Sequence, residues 1–456
     1  MRSAIMIAGL IVMFSSTLFA QGNRSEFEKN WHQFRGPDSN QLPSTTNLPV
    51  SWSATKNLSW TYELPGSGWS SPIIWGNRVF VATAISDDQS QEQRAYRKAR
   101  SQSGSGNSRD RDKKPVVEYS YELHCLDLDS GKVLWKKVAY KGVPYLPSRS
   151  ENTHANETPA TDGKRVYVYF GMIGLFCYDF EGKILWQKDL GKYPTASTWG
   201  AATSPIIYND HLYMQIDNEE SSFLVDLDPA TGNERWRVSR DEKTSYSTPI
   251  IWKNSIRTEL VTGSGTVRSY EPDTGKQLWE LNVGGGRNIS SPVAHGDILY
   301  AGNEGRRDGG GTLFAVKAGA NGDITPDEGA ATSPGVLWSV PDAGISMASP
   351  LVFKGGIYLV DRRGGFINCY DAVSGEPYYQ RTRIPDAKAF WATPWGYDNK
   401  VFCLDDAGTT FVVQPGNEFK ILYKNEIDDM FWPSAAFSEA TIVLRGVENL
   451  YCIQQK

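Results

Sequence analysis

The amino-acid sequence predicts an all-β fold, an eight-bladed β-propeller with four-stranded blades, and three observations carry that prediction. First, Ser/Thr-Pro followed by apolar residues recurs at Ser71-Pro72, Thr158-Pro159, Ser204-Pro205, Thr248-Pro249, Ser291-Pro292, Ser349-Pro350 and Thr393-Pro394. Second, an aromatic residue closes an apolar stretch between these signatures, at Trp135, Trp186, Trp236, Trp279, Trp338, Tyr379 and Tyr423. Third, the prolines from Pro159 onward lie 46, 44, 43, 58 and 44 residues apart, a period that accommodates four short strands per repeat.

The second repeat shows the pattern well. Pro159-Ala160 opens an inner strand, Arg165 to Phe170 forms the second, Gly174 to Tyr178 the third and Lys183 to Trp186 the outermost. Runs such as Asp127 to Lys132 and Glu271 to Lys276 are tight hairpin turns. The two ends complement each other. Asn57 to Tyr62 is an outer strand with no repeat ahead of it, whereas Pro433 to Phe437, Thr441 to Leu444 and Asn449 to Cys452 are inner strands with no outer one. Together they make the eighth blade, so the N-terminal strand completes the last blade and closes the ring, hiding the edges of an open sheet.

Ahead of the ring, residues 1–20 have one positive charge (Arg2), an apolar run from Ala4 to Phe14 and a small residue before Gln21. That is the pattern of a signal peptide, with an exported protein, periplasmic or extracellular, as the expectation. Residues 21–56 are expected to form an extension packing on the propeller, which occupies 57–456. Within it, residues 87–115 are rich in Ser, Gln, Gly and Arg, and read as a disordered basic loop. A second insertion, Gly319 to Gly335, contains Asp323, Asp327 and Glu328 without calcium-loop spacing, and reads as an ordinary excursion.

A net charge of −5 gives no global basic field to hold nucleic acid. No later segment reaches membrane-spanning length. Of the five cysteines, Cys125, Cys177, Cys369 and Cys452 share one repeated strand slot, and with Cys403 they read as small core residues, neither disulfide partners nor metal ligands. The histidines have no metal-ligand spacing, and no Ser-His-Asp set, phosphate loop or HExxH motif is present.

The recurring Asp-x-x-Ser/Thr-Gly-Lys-x-x-Trp, as in Asp127 to Trp135 and around Asp273 to Trp279, resembles the repeat of the pyrroloquinoline-quinone-like β-propeller family. That family includes quinoprotein alcohol dehydrogenases and the propeller lipoprotein of the outer-membrane β-barrel assembly machinery. The opening Trp31-His32-Gln33-Phe34-Arg35-Gly36-Pro37, with Trp199-Gly200, Asp217 to Glu220 and Arg240 to Lys243, is similar to a secreted bacterial subgroup, and the resemblance covers residues 30 to 456. It permits a quinone cofactor with calcium. However, the dehydrogenases' vicinal cysteine pair, the Cys-x-x-Cys-His of covalent haem and the lipoprotein's acylated Cys are all missing. Candidates for a calcium set are Asn156, Glu157, Asp217, Asn218 and Glu219.

In a propeller, one face collects the links into each inner strand and the links from second to third strand. The first kind carries Trp69, Trp199, Tyr246, Trp391 and Trp432. The second carries Asp217-Asn218-Glu219-Glu220, Asn303-Glu304, Arg306-Arg307, Asp361-Arg362-Arg363, Asp405-Asp406 and Arg445 with Glu448. Aromatics with a few charges are the makings of a binding funnel. The leading expectation is therefore a non-catalytic, monomeric binding or scaffold propeller without a cofactor, taking a protein, small molecule or glycan on this face. The alternatives are a dehydrogenase of alcohols or sugars that uses pyrroloquinoline quinone and calcium, and a carbohydrate-binding or carbohydrate-processing propeller.

Overall fold

The computed structural model describes residues 26–86, 117–146, 149, 152–285, 289–305 and 311–455. The signal-peptide reading of residues 1–20, the basic loop at 87–115 and Arg306-Arg307 lie outside the described residues. The chain forms eight antiparallel sheets, each with the strands in sequence order from the channel outward, except the last. Blade 1 comprises Ile73–Trp75, Arg78–Ser86, Tyr119–Asp127 and Val133–Gly142. Blade 2 comprises Ala160–Thr161, Arg165–Tyr169, Leu175–Asp179 and Ile184–Lys188, the elements expected from its sequence to within a residue or two. Middle strands are covered by blades on both sides and read as continuous apolar runs, as in Val166 to Tyr169. Outermost strands alternate half-buried and exposed, as in Val133–Gly142.

Blade 8 confirms the closure. Leu58–Glu63 pairs antiparallel with Asn449–Gln454, bringing Trp60 opposite Cys452 and Tyr62 opposite Leu450. All five cysteines are free and buried in blade cores. Burial pushes the Cys125, Cys369, Cys403 and Cys452 thiols up to about 12, which makes them poor nucleophiles.

The two signatures that mark the repeat are both staples between blades. Except at Ser349, the backbone N–H of the Ser/Thr ahead of the proline donates to the hydroxyl of its counterpart in the next blade. Ser71 donates to Thr158 at 3.0 Å, Thr158 to Ser204 at 2.9 Å, Ser204 to Thr248 at 3.1 Å and Thr248 to Ser291 at 3.0 Å. Ser291 continues to Ser349 and Thr393 to Ser434, both at 3.0 Å, and Ser434 returns to Ser71 at 3.1 Å. This belt circles the channel, and blade 8 joins it through Ser434-Ala435 although it lacks the proline.

The outer-strand tryptophans work at the other margin. Trp60, Trp135, Trp186, Trp236 and Trp338 each donate Nε1–H to a carbonyl in the following blade's turn, at 2.7–3.0 Å. Each indole lies on that turn's glycine: Gly131, Gly182, Gly232, Gly275 and Gly375. A Cβ on any of these glycines would stand 2.5–2.8 Å from the ring, and each takes a positive φ. Glycine is therefore required twice over, for approach and for conformation.

Two features go beyond the repeat. The blade 5 insertion is not a bare excursion: Gly322–Asp323 runs parallel to Trp279 and Glu280 and adds a fifth strand to the edge of blade 4. With that insertion in place of the usual turn, Trp279 donates to Glu259 of its own blade at 2.6 Å. The second feature is the segment Trp31 to Gln41, which spans the channel. Its Trp31 and His32 carbonyls accept from Ile74 and Thr161 at 2.8 and 2.9 Å, and Gln33 Oε1 accepts from Ile207 at 2.8 Å. Arg35 donates to the Pro292 and Pro350 carbonyls at 2.9 and 3.0 Å. Asn40 exchanges two bonds with Val352, both 3.0 Å, and Gln41 donates to Ala435 at 2.7 Å. Every contact falls just after the belt residue of its blade, so this strap covers the end of the channel where the inner hairpins turn. The chain then crosses blade 7, where Trp52 stacks near Trp395 and Phe402 before the closing strand begins.

Candidate functional site

With one end strapped, the other mouth of the channel is the end to examine. Two residues before each belt residue stand Trp69, Asn156, Ala202, Tyr246, Ile289, Met347, Trp391 and Trp432, and all are half-buried. One residue before the belt, every side chain is buried: Ser70, Glu157, Thr203, Ser247, Ser290, Ala348, Ala392 and Pro433. The half-buried positions therefore form a ring at the mouth, seated on a packed layer. In three consecutive blades this ring is tryptophan. Trp391 stacks on Trp432 at 4.0 Å between ring centroids with 15° between planes, and Trp432 on Trp69 at 4.2 Å and 22°. The Nε1 atoms of Trp391 and Trp432 are buried without a hydrogen-bond partner among the described residues, so two indole donors stay unspent in the wedge.

Trp199 lies outside this ring. It sits further back in its loop, with the Arg149 guanidinium over its face at 4.8 Å. Glu157 is the one ionisable member of the buried layer. Burial pushes its carboxyl up to about 8, against the pull of the Glu157, Asn156 and Gly171 backbone amides. Beside it, Asn156 donates to the Ala201 carbonyl at 2.9 Å and to the Thr153 carbonyl at 3.1 Å.

The charges expected to furnish the funnel are used inside the fold. Asp217 forms a fully buried ion pair with Arg240 at 2.8 Å, and Arg240 also donates to Thr262 and Tyr270 across the seam to blade 4. Asn218 Oδ1 accepts from the Glu220 and Ser221 amides and shapes its own turn. Glu219 takes the Thr244 amide and hydroxyl. Asp361 accepts from the Arg363 amide at 2.9 Å, while Arg362 pairs with buried Glu304 at 3.0 Å. Asp405 accepts the Lys388, Ala407 and Thr409 amides. Arg445 is buried between blades 8 and 1 and donates to the Ser70 and Ala82 carbonyls, both at 2.8 Å. The structure thus brings Trp69, Tyr246, Trp391, Trp432 and Asn156 into one ring. Sequence reasoning missed Ala202, Ile289 and Met347, which counting back two residues from each belt residue would have found.

Residues 120–322 match the family model of the outer membrane protein assembly factor BamB. That span runs from the third strand of blade 1 through the inner three strands of blade 5 to the strand added on blade 4. The match, over somewhat less than half of the chain, supports a β-propeller of the pyrroloquinoline-quinone-like repeat family. This PQQ-like propeller is similar in structure to BamB from Moraxella catarrhalis, with a TM-score of 0.57 and 12% identity over 87% of this chain and 99% of that one. It is also similar to a europium-containing methanol dehydrogenase, with a TM-score of 0.64 and 10% identity over 94% and 92%. A third is the quinohemoprotein alcohol dehydrogenase from Comamonas testosteroni, with a TM-score of 0.62 and 11% identity over 96% and 82%. Likeness at these identities is one of fold. The tetrathionate hydrolase of Acidithiobacillus ferrooxidans is 21% identical over 285 residues, 57% of this chain and 49% of the relative, so the chain spans about half the length of that curated relative.

The residues of this PQQ-like propeller do not fit a quinone with calcium. Among the described residues no group of three His, Cys, Asp or Glu side chains is placed to hold a metal ion. Asp217 is committed to Arg240, Asn218 to its turn, and Glu157 stands as a lone carboxyl. The cysteines are separate and buried. Indoles at 4.0 and 4.2 Å leave no gap between them for a flat cofactor. Among the described residues no helix is long and apolar enough to cross a membrane.

Proposed function

We propose that this chain is an exported, non-catalytic propeller that docks a protein partner on its mouth ring, with Trp391, Trp432 and Trp69 as the anchor. The observation that carries this reading is the closed three-indole stack. Because its rings already cover one another, it offers a ligand its rim rather than a slot. The ring continues through apolar Ala202, Ile289 and Met347, so the surface is broad and shallow. Aromatic and methionine side chains on such a surface suit protein interfaces, where desolvated anchors dominate the binding energy. The strap covering the other end favours approach from the mouth alone.

The test is chemical crosslinking in the producing cell followed by purification of the propeller. A discrete partner should be recovered with the native chain and be lost with Trp391→Ala/Trp432→Ala. Ile289→Lys/Met347→Lys, a surface change that spares the stack, should also abolish recovery. Recovery undiminished in both variants would overturn the reading. So would dye-linked alcohol oxidation by the purified chain with pyrroloquinoline quinone and calcium.

A further inference from the structure

The strap carries one buried charge that no other charge in the fold answers. Arg35 is 1% exposed. Its two Nη atoms bond the Pro292 and Pro350 carbonyls of blades 5 and 6, while Nε is buried without a partner among the described residues. No carboxylate stands in for one. The strap's single acid, Asp38, is exposed, and its other buried atom lacking a partner, Gln41 Oε1, is neutral. Burial alone acts on the guanidinium and draws it down to about 9, so it keeps its charge at neutral pH. His32 does not, because burial pulls its ring down to about 4. A buried cation without a counter-charge is costly to the fold.

The backbone is strained to place this charge. Arg35 takes φ of 63° and Gly36 follows at 76°, with the Gly36 amide bonded to the Gln33 carbonyl at 3.0 Å. Left-handed backbone suits Gly36 but is costly for arginine, and strain of this kind gathers at ligand sites. Further donors stand close by in the chain. One residue before the two carbonyls come Ser291 and Ser349, whose hydroxyls each accept an amide and, among the described residues, donate to no group. We propose that the strapped end of the channel binds one small monovalent anion, chloride or a close equivalent, on Arg35 Nε, with the Ser291 and Ser349 hydroxyls as neighbouring donors. One negative charge balances one guanidinium, and a donor enclosed beneath the strap suits a halide-sized ion. Such an ion ties the strap to blades 5 and 6.

Crystals of the full-length protein grown in sodium bromide should show an anomalous peak within hydrogen-bond reach of Arg35 Nε. In solution, sodium gluconate exchanged stepwise for sodium chloride at fixed ionic strength should raise the melting temperature with the logarithm of chloride, as an ion bound by the folded state alone requires. Arg35→Gln should lose that dependence. Should this variant fail to fold, the bromide peak and the native melts decide the matter. A water at Arg35 Nε in place of bromide, a native melting temperature indifferent to chloride, or the same chloride response in Arg35→Gln would each overturn the proposal. So would a bromide peak with no response in solution, which would mean binding at crystal concentration only.

Discussion

The seams between blades fall into two kinds, and the contrast shows what holds the ring together. From blade 8 round to blade 4, and again between blades 5 and 6, an indole lies on the next blade's turn glycine and bonds a turn carbonyl. The other seams are held differently. Between blades 4 and 5 the insertion supplies a strand and Ile324, whose amide bonds the Glu280 carbonyl at 2.9 Å. Between blades 6 and 7, Tyr379 meets Phe419 at 5.6 Å. On blade 7, Asn425 holds the chain that follows the strap by bonding Val50 and Trp52. Regular seams thus depend on one residue pair each, whereas the seam between blades 4 and 5 depends on inserted chain and blade 7 on the N-terminal segment.

The largest effect should come from removing that imported chain. Deleting residues 26–62 takes away the strap and the closing strand together, and should leave protein that aggregates and shows no cooperative melt by circular dichroism. A soluble product with unchanged melting would mean the seams alone suffice. A paired glycine substitution separates docking from conformation. Gly182→Val places a side chain against Trp135, whereas Gly329→Val meets nothing within 4 Å, and both sites have φ near +80°. Denaturant melts should show a loss of about 4 kcal/mol for the first and about 1 kcal/mol for the second. Equal losses would remove the docking argument.

A smaller, pH-dependent effect probes the layer beneath the mouth. Glu157 ionises at about 8 in the folded chain, against an ordinary value of 4.5. Between those values the unfolded chain has lost the proton and the folded chain retains it. Stability should therefore fall as pH rises through this window, by about 1.4 kcal/mol per pH unit, and level off above it. Glu157→Gln should match the native chain near pH 4 and melt higher at pH 8. A pH-independent difference between the two would contradict the burial of a neutral carboxyl.

Blade number, closure and cysteine roles were legible because each rests on periodicity or on simple complementarity between the ends. The strap was not, although Trp31 to Gly36 stood out as a motif. Its contacts are single bonds to one blade after another, and nothing periodic in residues 31–41 announces them. The charged turns misled for a different reason. Asp361, Asp405 and Asn218 sit where a funnel charge would, yet a short polar side chain in a tight turn first satisfies its own backbone amides. Asp217 and Arg445 looked like surface charges because the residues that bury them come from neighbouring blades. The mouth ring was partly legible, since aromatics stand out and Ala202, Ile289 and Met347 do not.

The mouth as the docking face can be tested within a single inner strand. Met347 lies at the mouth end of blade 6, and exposed Lys354 lies at its hairpin end on the strapped side. With a photo-crosslinking amino acid placed at one position or the other, irradiation in the producing cell should yield a protein adduct from position 347 and none from position 354. An adduct from position 354 alone, or from neither position, would contradict the account.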